Sequence, residues 1–197
     1  MSDNPFSAEN QQERLIRIGW IVGFVDGEGC FSINLVRQGG SATRKGYRSG
    51  YQVSHTFAVV QGARSLESLQ SLREFFGVGT LCINRRRDNH KEDLYRYSVN
   101  RRDDLQTVII PFFRRNPLQT AKRAEFERFA YCVEKMSGGH HLTTEGLIEI
   151  IEIAQTMNHQ KSRLELIRIL RDQTPNIPER DEDMVQSAWR RAGLESG

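Results

Sequence analysis

The sequence predicts an α+β protein whose helices pack on one face of an antiparallel sheet and leave the other face polar. An apolar helix near the start is followed twice by a strand–turn–strand–helix pattern, and the last part of the chain is mostly helical. Both strand pairs alternate apolar side chains with small polar or basic ones, which is typical of half-buried strands. The 197 residues, 38% of them hydrophobic and only 5 of them Pro, suffice to bury a core.

The first predicted elements are a helix over residues 13–27 and strands over residues 30–37 and 51–61. Because little of the helix circumference is polar, we expect most of it to be buried. We expect Gly27 or Gly29 to end it in a left-handed turn. A Gly/Ser-rich turn with three basic residues joins the two strands. The apolar residues of the helix are Leu15, Ile16, Ile18, Ile21, Val22 and Val25.

The second half of the pattern begins with an amphipathic helix over residues 65–76, with Ser65 as its N-cap and Gly77 at its end. A very basic turn follows, with a strand on either side of it at residues 78–84 and 94–100. Four further helices are predicted at residues 102–113, 119–136, 143–157 and 160–171.

The charge of the chain is unevenly distributed, although the net charge is only +3. Residues 1–29 carry a net charge of −3, residues 30–102 carry +8, and residues 103–197 carry −2. Positive charge concentrated in the strands and their turns is what binding to a polyanion requires, since each phosphate contact releases a condensed counterion. A basic surface that only faces solvent is the alternative interpretation.

Several classes of protein are excluded by simple features of the sequence. The longest apolar run near the start, residues 19–25, is too short to cross a bilayer, so no membrane partner is expected. The first residues resemble no secretory signal. The three cysteines have neither zinc-site spacing nor the number for a disulfide framework. We therefore expect a protein of the cytoplasm or of an organelle interior, not a secreted one.

The stretch GWIVGFVDGEG, residues 19–29, contains two unusual features. Gly19, Gly23 and Gly27 recur every four residues on one helical face, although each interior glycine costs about 1 kcal/mol relative to alanine. Close approach of a second helix backbone explains such a stripe. Asp26 and Glu28 lie at the helix C-terminus, where the macrodipole disfavours negative charge. A bound cation reverses that cost, and hard oxygen ligands favour Mg²⁺.

The stretch WIVGFVDGEG, residues 20–29, resembles the signature motif of the LAGLIDADG homing endonucleases. FGVG at 76–79 and PLQTAKR at 117–123 also resemble that family. The resemblance implies an αββαββα core with a saddle-shaped antiparallel sheet that binds DNA, and extra C-terminal helices. It predicts an endonuclease domain over residues 1–158 and a helical extension over residues 159–197. One copy of the motif is found, which implies the single-motif class, whose members act as homodimers. The family resemblance also implies an intron-encoded nuclease.

In this family the motif helices of two subunits pack together, a role that would fall here to Gly19, Trp20, Gly23 and Phe24. The last acid of the motif binds the divalent metal, Mg²⁺ or another ion such as Mn²⁺. That ligand would be Glu28, with the carbonyl of Gly27, while Asp26 would serve the helix terminus and the dimer contact.

Accessory catalytic roles are also implied by the resemblance. Gln61 matches a position that is often glutamine, and Lys122 matches a lysine that stabilises charge on the phosphate. Arg123 is an alternative to Lys122, and a basic residue near the site would be Arg64, although the alignment favours Ser65 at that position.

The polar sheet face would lie in the DNA major groove. Direct base contacts are predicted for Ser32, Asn34, Gln38, Gln52, Ser54, Thr56, Asn84, Arg86, Arg96 and Ser98. Phosphate contacts are predicted for Arg44, Lys45, Arg48, Arg85, Arg87 and Lys91.

The leading hypothesis is a site-specific endonuclease that hydrolyses both strands of a long pseudo-palindromic DNA duplex. The alternative is a non-cleaving protein of the same fold, either an RNA-splicing maturase that binds intron RNA or a DNA-binding regulator. The acid at Glu28 favours the nuclease, because binding alone does not need it. A nuclease domain within an intein is a weaker interpretation, since the chain has no splicing termini.

Overall fold

The computed structural model describes residues 5–37, 51–84, 93–157 and 167. The predictions for residues 38–50, for the basic turn at 85–92 and for nearly all of 158–197 lie outside these ranges. The elements in chain order are helix α1 (Pro5–Glu28), strands β1 (Gly29–Arg37) and β2 (Tyr51–Gly62), helix α2 (Leu66–Phe76), strands β3 (Thr80–Asn84) and β4 (Leu94–Val99), and helices α3 (Arg102–Asp104), α4 (Ile110–Arg115), α5 (Lys122–Ser137) and α6 (Thr144–Gln155). The predicted α+β class is confirmed.

The strands form one four-stranded antiparallel sheet in the order β1-β2-β4-β3. The two central strands are antiparallel, with Phe57 opposite Val99 and Gln61 opposite Tyr95. The predicted pairing across the basic turn is confirmed, because β3 and β4 are antiparallel neighbours. The four strands predicted from alternation all exist, with boundaries within two residues of those expected.

Helix α1 differs from the prediction at both ends. It begins at Pro5, eight residues before the predicted start, and ends at Glu28. Neither Gly27 nor Gly29 is left-handed, since the described glycines with positive φ are Gly77, Gly79 and Gly139. Gly29 instead opens β1, where an added Cβ would lie 2.5 Å from Cγ1 of Val25 and 2.7 Å from its carbonyl oxygen. Close backbone approach, and not a special dihedral angle, explains this glycine.

The prediction that most of the α1 circumference is buried is wrong for the chain by itself. Ile21 and Val25 are fully buried, but Leu15 is 68% exposed and Ile16 is 65% exposed. A run of apolar residues does not by itself show whether the surface that covers it belongs to the same chain. Leu15 and Ile16 thus face away from the part of the chain that the structure describes.

The chain divides into two compact units. The first comprises Met1–Cys30 and Phe57–Arg123. Its core is rich in aromatic rings, which meet mostly edge to face, the arrangement that their quadrupoles favour. Phe57 and Phe113 have ring centroids 5.8 Å apart, and Phe76 and Phe112 are 5.1 Å apart. Arg17 of α1 lies over the ring of Phe75 at 5.5 Å from its centroid, which fixes α1 against α2.

The second unit comprises Phe31–Thr56 and Ala124–Gly197. Phe31 of β1 contacts Phe126 and Phe129 of α5, with ring centroids 5.3 and 5.4 Å away. Helix α6 contributes a nearly continuous apolar stripe to this core, and the hydroxyl of Thr143 caps it by accepting the N–H of Gly146 at 3.1 Å. Half-buried Tyr131 donates to Glu149 at 2.7 Å and joins α5 to α6.

The ends of α2 and the connection between α3 and α4 can be compared with the predictions. Ser65 precedes α2 as predicted, but its side chain makes no capping hydrogen bond. Gly77 ends α2 in the left-handed region, as predicted, at φ 66°. Helices α3 and α4 are joined by a π-helical turn, Leu105–Ile109, just before Pro111. In the described ranges no helix has the length and apolar character needed to span a membrane.

Replacing Gly79 with Ala is expected to lower the free energy of unfolding by about 2–4 kcal/mol. Its φ is +87°, and an added Cβ would lie 2.8 Å from both the carbonyl oxygen of Ser98 and a ring carbon of Tyr97. Gly77→Ala is the matched control, because its φ is +66° but nothing lies within 4 Å of the added Cβ. Urea denaturation should show a cost of only about 1–2 kcal/mol for the control. Equal losses in the two variants would show that the contacts with β4 are unimportant.

Candidate functional site

The C-terminal end of α1 presents one carboxylate to solvent. Glu28 is the last residue of the helix, and both Glu28 and Gly27 are exposed. In the described ranges no three side chains from His, Cys, Asp and Glu come together as a possible metal site. One chain therefore offers a single exposed acid at this position, next to exposed backbone.

Asp26 has a different environment from Glu28, although it is only two residues away. Its carboxylate accepts hydrogen bonds from the N–H of Gln119 at 2.7 Å, the N–H of Thr120 at 3.2 Å and the hydroxyl of Thr120 at 2.8 Å. Partial burial raises the pKa of Asp26, but these hydrogen bonds and the charge of Lys122 outweigh it and hold the pKa below its ordinary value. Asp26 thus anchors the turn that precedes α5.

The side chain of Lys122 contacts the C-terminal end of α1, the helix that contains the motif. Its Nζ donates to the carbonyl oxygens of Val25 at 3.1 Å and Gly27 at 3.2 Å, both in the last turn of α1. The alternative residue, Arg123, is exposed, and its backbone N–H donates to the carbonyl of Thr120 at 3.0 Å. The geometry favours Lys122 over Arg123 as the accessory cation. It also places Lys122 on the same carbonyl, that of Gly27, that is predicted to bind metal.

The remaining accessory candidates lie at the end of β2 and just after it. Gln61 is half-buried, and Tyr95 lies opposite it on β4. Arg64 and Ser65 belong to a short 3-10 helix, Ala63–Ser65, in which Arg64 is exposed and Ser65 half-buried.

The predicted interface residues lie on a face of α1 that the described chain leaves open. Added Cβ atoms at Gly19, Gly23 and Gly27 would meet nothing within 4 Å. Trp20 is 40% exposed and stacks on Phe24, with ring centroids 5.2 Å apart. The glycine stripe therefore has no explanation within the described chain, since alanine would be accommodated at all three positions.

The predicted base-contacting residues divide by accessibility. Ser32, Asn34, Gln52, Ser54 and Thr56 are half-buried on β1 and β2, and the hydroxyl of Ser32 donates to the carbonyl of Thr56 at 3.4 Å.

On β4, Arg96 is exposed, whereas Ser98 is only 7% exposed. Ser98 lies between Ala58 of β2 and Thr80 of β3 in the middle of the sheet, and its burial argues against the predicted base contact. Asn84 ends β3, but its side chain is outside the described part. The other DNA-binding candidates outside the described ranges are Gln38, Arg44, Lys45, Arg48, Arg85, Arg86, Arg87 and Lys91.

Sequence reasoning did not assign roles to Gln119 and Thr120, which hold the turn before α5 against Asp26. They lie inside the segment PLQTAKR, whose resemblance to the family drew attention to the lysine only. The signal that could have found Thr120 is its position two residues before Lys122, where a hydroxyl can accept the N–H of the first helical residue.

Comparison with known proteins gives a consistent assignment. The profile of the family described as LAGLIDADG endonuclease matches residues 21–133. A relative named probable intron-encoded endonuclease 3, from Neurospora crassa, is 31% identical over 78% of this chain. That match covers 26% of the relative, so the chain spans only about a quarter of the length of the curated relatives it matches.

Solved structures with the same fold include the homing endonuclease I-TnaI, which is 36% identical, with a TM-score of 0.65 over 79% of this chain and 96% of that one. The meganuclease I-SmaMI, solved bound to DNA, is 27% identical, with a TM-score of 0.63 over 84% of this chain and 51% of that one. The family profile spans more than half of this chain, and these folds agree with the αββαββ order observed here. The chain is therefore a member of the LAGLIDADG endonuclease family.

Proposed function

We propose that the protein is a homodimeric homing endonuclease that uses a divalent metal ion to cut both strands of a pseudo-palindromic DNA duplex. The observation that carries the proposal is the position of Glu28, an exposed acid at the end of a helix whose glycine face is open. Neighbouring structures of 27% identity were solved with DNA bound, which supports DNA as the substrate.

The homodimer is proposed from the surface of α1. The open glycines continue toward the N-terminus into Leu15 and Ile16, which are 68% and 65% exposed. Contiguous exposed apolar surface of this kind is typical of interaction sites. Since Gly23 lacks a side chain, a second copy of α1 could approach backbone to backbone, and the two Glu28 side chains would then lie at the same end of the interface.

The donors at this end of α1 fit a hard divalent ion. Glu28 offers a carboxylate, and the Gly27 carbonyl has a second lone pair beyond the one that accepts from Lys122. With one acid per chain, further ligands would come from DNA phosphate, water and the second subunit. The ion supplies Lewis-acid polarisation of the phosphate and lowers the pKa of a bound water.

The chain's own residues have separate roles in this proposal. Glu28 binds the ion, and Lys122 places a positive charge beside it to stabilise the developing negative charge on the phosphate. Gln61, near the start of the second helix, would orient water by hydrogen bonding. Asp26 is assigned to the helix terminus and not to the metal, since its two oxygens already accept hydrogen bonds from Gln119 and Thr120 and anchor the turn before α5.

DNA recognition is assigned to the polar residues of the two strand pairs and to the basic turns between their strands. Arg96 is exposed on β4, and Asn34 and Gln52 are partly accessible on β1 and β2. Their amide and guanidinium groups suit hydrogen bonding to base edges in the major groove. Residues 38–50 and 85–92, which lie outside the described ranges, carry most of the positive charge of the middle segment, and phosphate contacts are proposed for them.

Incubation of the protein with a randomised plasmid library and Mg²⁺ tests the proposal. Sequencing of linear products should recover a pseudo-palindromic site of about two helical turns. Binding of duplex without cleavage of any library member would favour the DNA-binding regulator instead. Tight binding of structured RNA without cleavage of DNA would favour the maturase.

Binding to the recovered duplex should weaken steeply with salt. A basic segment that makes six or more phosphate contacts is expected to lose about a thousandfold in affinity between 50 and 200 mM salt. Fluorescence anisotropy in Ca²⁺ measures the affinity at each salt concentration. The double variant Arg85→Gln, Arg87→Gln lacks two of the basic side chains, so its slope of log affinity against log salt concentration should be shallower by about 1 to 2. A wild-type slope near zero would contradict binding through the basic strand turns.

A further inference from the structure

The hydroxyl of Thr120 connects the motif helix to the start of α5. It donates to Oδ1 of Asp26 at 2.8 Å and accepts the backbone N–H of Lys122 at 3.2 Å. The carbonyl of Thr120 accepts the N–H of Arg123 at 3.0 Å. Thr120 therefore satisfies two backbone donors at the start of α5 and is itself held by an acid of the motif.

The side chain of Lys122 returns to the same helix. Its Nζ reaches the carbonyls of Val25 and Gly27, the residues immediately before and after Asp26. The backbone of Lys122 is thus linked through Thr120 to the Asp26 side chain, while its ammonium lies on the backbone on either side of Asp26. Lys122 is therefore connected to the last turn of α1 in two ways, through Thr120 at its backbone and directly at its ammonium.

We propose that Thr120 is a positioning residue for Lys122: its hydroxyl, held by Asp26, sets the position of the Lys122 backbone and hence of the ammonium on the carbonyls of Val25 and Gly27. This inference rests on the proposed function, in which Lys122 stabilises charge on the cleaved phosphate. Thr120 itself touches neither metal nor DNA in this assignment and acts only through the lysine.

The need for such a residue follows from the side chain of lysine. Four rotatable methylene groups separate the ammonium from the backbone, and the charge is not directional. Catalytic groups must be held within about half an ångström of their working position, and a displacement of about 1 Å can cost a hundredfold in rate. When the start of α5 is fixed, the backbone of Lys122 is fixed as well, and its ammonium can reach fewer positions.

Thr120→Val and Thr120→Ser form a matched pair that tests the proposal. Valine keeps the approximate shape and the backbone N–H that donates to Asp26 at 3.2 Å, and it replaces the hydroxyl with a methyl group that can neither donate to Asp26 nor accept from Lys122. On the duplex recovered from the library, we expect single-turnover cleavage to fall about tenfold in Thr120→Val and to stay within about threefold of wild type in Thr120→Ser. The dissociation constant measured in Ca²⁺ should change less than twofold in both.

A double-substitution cycle with Lys122→Met shows whether Thr120 acts through the lysine. If it does, adding Thr120→Val to Lys122→Met will lower the cleavage rate no further, because the group being positioned is already gone. A similar tenfold loss in both backgrounds would overturn the proposal and leave Thr120 as a general stabilising residue. A wild-type rate in Thr120→Val would overturn it as well.

Hydrogen exchange in the metal-free, DNA-free protein provides a readout that does not depend on cleavage. The peptide that contains residues 119–123 should exchange several-fold faster in Thr120→Val than in wild type, while peptides from α6 stay unchanged. Unchanged exchange of the 119–123 peptide would overturn the link between Thr120 and Lys122. If the wild type cleaved no duplex, the proposed function would fail, but this measurement would still decide whether Thr120 orders the start of α5.

Discussion

Glu28→Gln should remove DNA cleavage almost completely and leave DNA binding intact. Glutamine keeps the shape of the side chain but loses the charge that binds a divalent ion. A loss of at least about a thousandfold in single-turnover rate, equivalent to about 4 kcal/mol of activation free energy, is expected. The fold should be unaffected, because Glu28 is exposed at the last position of α1.

The measurement needs both a rate and an affinity. Cleavage of the recovered duplex in Mg²⁺ gives the rate, and anisotropy in Ca²⁺ gives the dissociation constant. Glu74→Gln is the matched control, since Glu74 is exposed on α2 and we assign it no role in the site. Cleavage by Glu28→Gln within tenfold of wild type would show that another group holds the ion.

Gly23→Leu is expected to separate the subunits while stabilising each one. At a close helix–helix contact a leucine costs about 1–3 kcal/mol, and two-fold symmetry places two of them in the interface. The dimer dissociation constant should therefore rise at least about thirtyfold. In the isolated chain the same leucine meets nothing within 4 Å of its Cβ, and it replaces a poor helix former.

Gly23→Leu is expected to weaken dimerisation but to stabilise the single chain. A general loss of folding would lower both, so the two cases can be told apart. Sedimentation velocity should show a monomer at concentrations where the wild type is a dimer. The variant should also unfold at a higher temperature than wild type that has been diluted until it is monomeric, a comparison that removes the stabilisation due to dimerisation. Gln70→Leu adds the same side chain at an exposed position of α2 and should change neither assembly nor stability by much. If Gly23→Leu dimerised with wild-type affinity, the dimer interface would not include the glycine face of α1.

The fold class and the strand pairs could be predicted because they depend on local periodicity. Alternation in β2 and β4 and the stripe of Leu69, Leu72 and Phe76 in α2 are properties of each segment alone, and the structure buries these residues. Boundaries were harder to predict. The helix expected from residue 119 begins at Lys122, after a turn in which the N–H groups of Gln119 and Thr120 donate to Asp26, 93 and 94 positions away in the sequence.

The wrong predictions for α1 and the misplaced start of α5 have the same physical cause. Each depends on which residues lie close in space, which the local sequence does not show. Leu15 and Ile16 were counted as core because apolar helices are normally covered, and no pattern says whether the cover belongs to the same chain. Gly29 was assigned a left-handed turn, whereas its actual constraint is the backbone of Val25. Motif resemblance identified Lys122, but only coordinates could show that Thr120 holds it.

The contact between Lys122 and the last carbonyls of α1 has a consequence for the order in which the site assembles. The exposed carbonyls and two acids at that end of the helix already have a positive group among them, supplied by the chain itself. The ammonium of Lys122 thus offsets the negative end of the helix dipole without a divalent ion. In the proposed function, a divalent ion would then join the site together with the phosphates of the target, and the complete hydrolytic centre would form only on DNA.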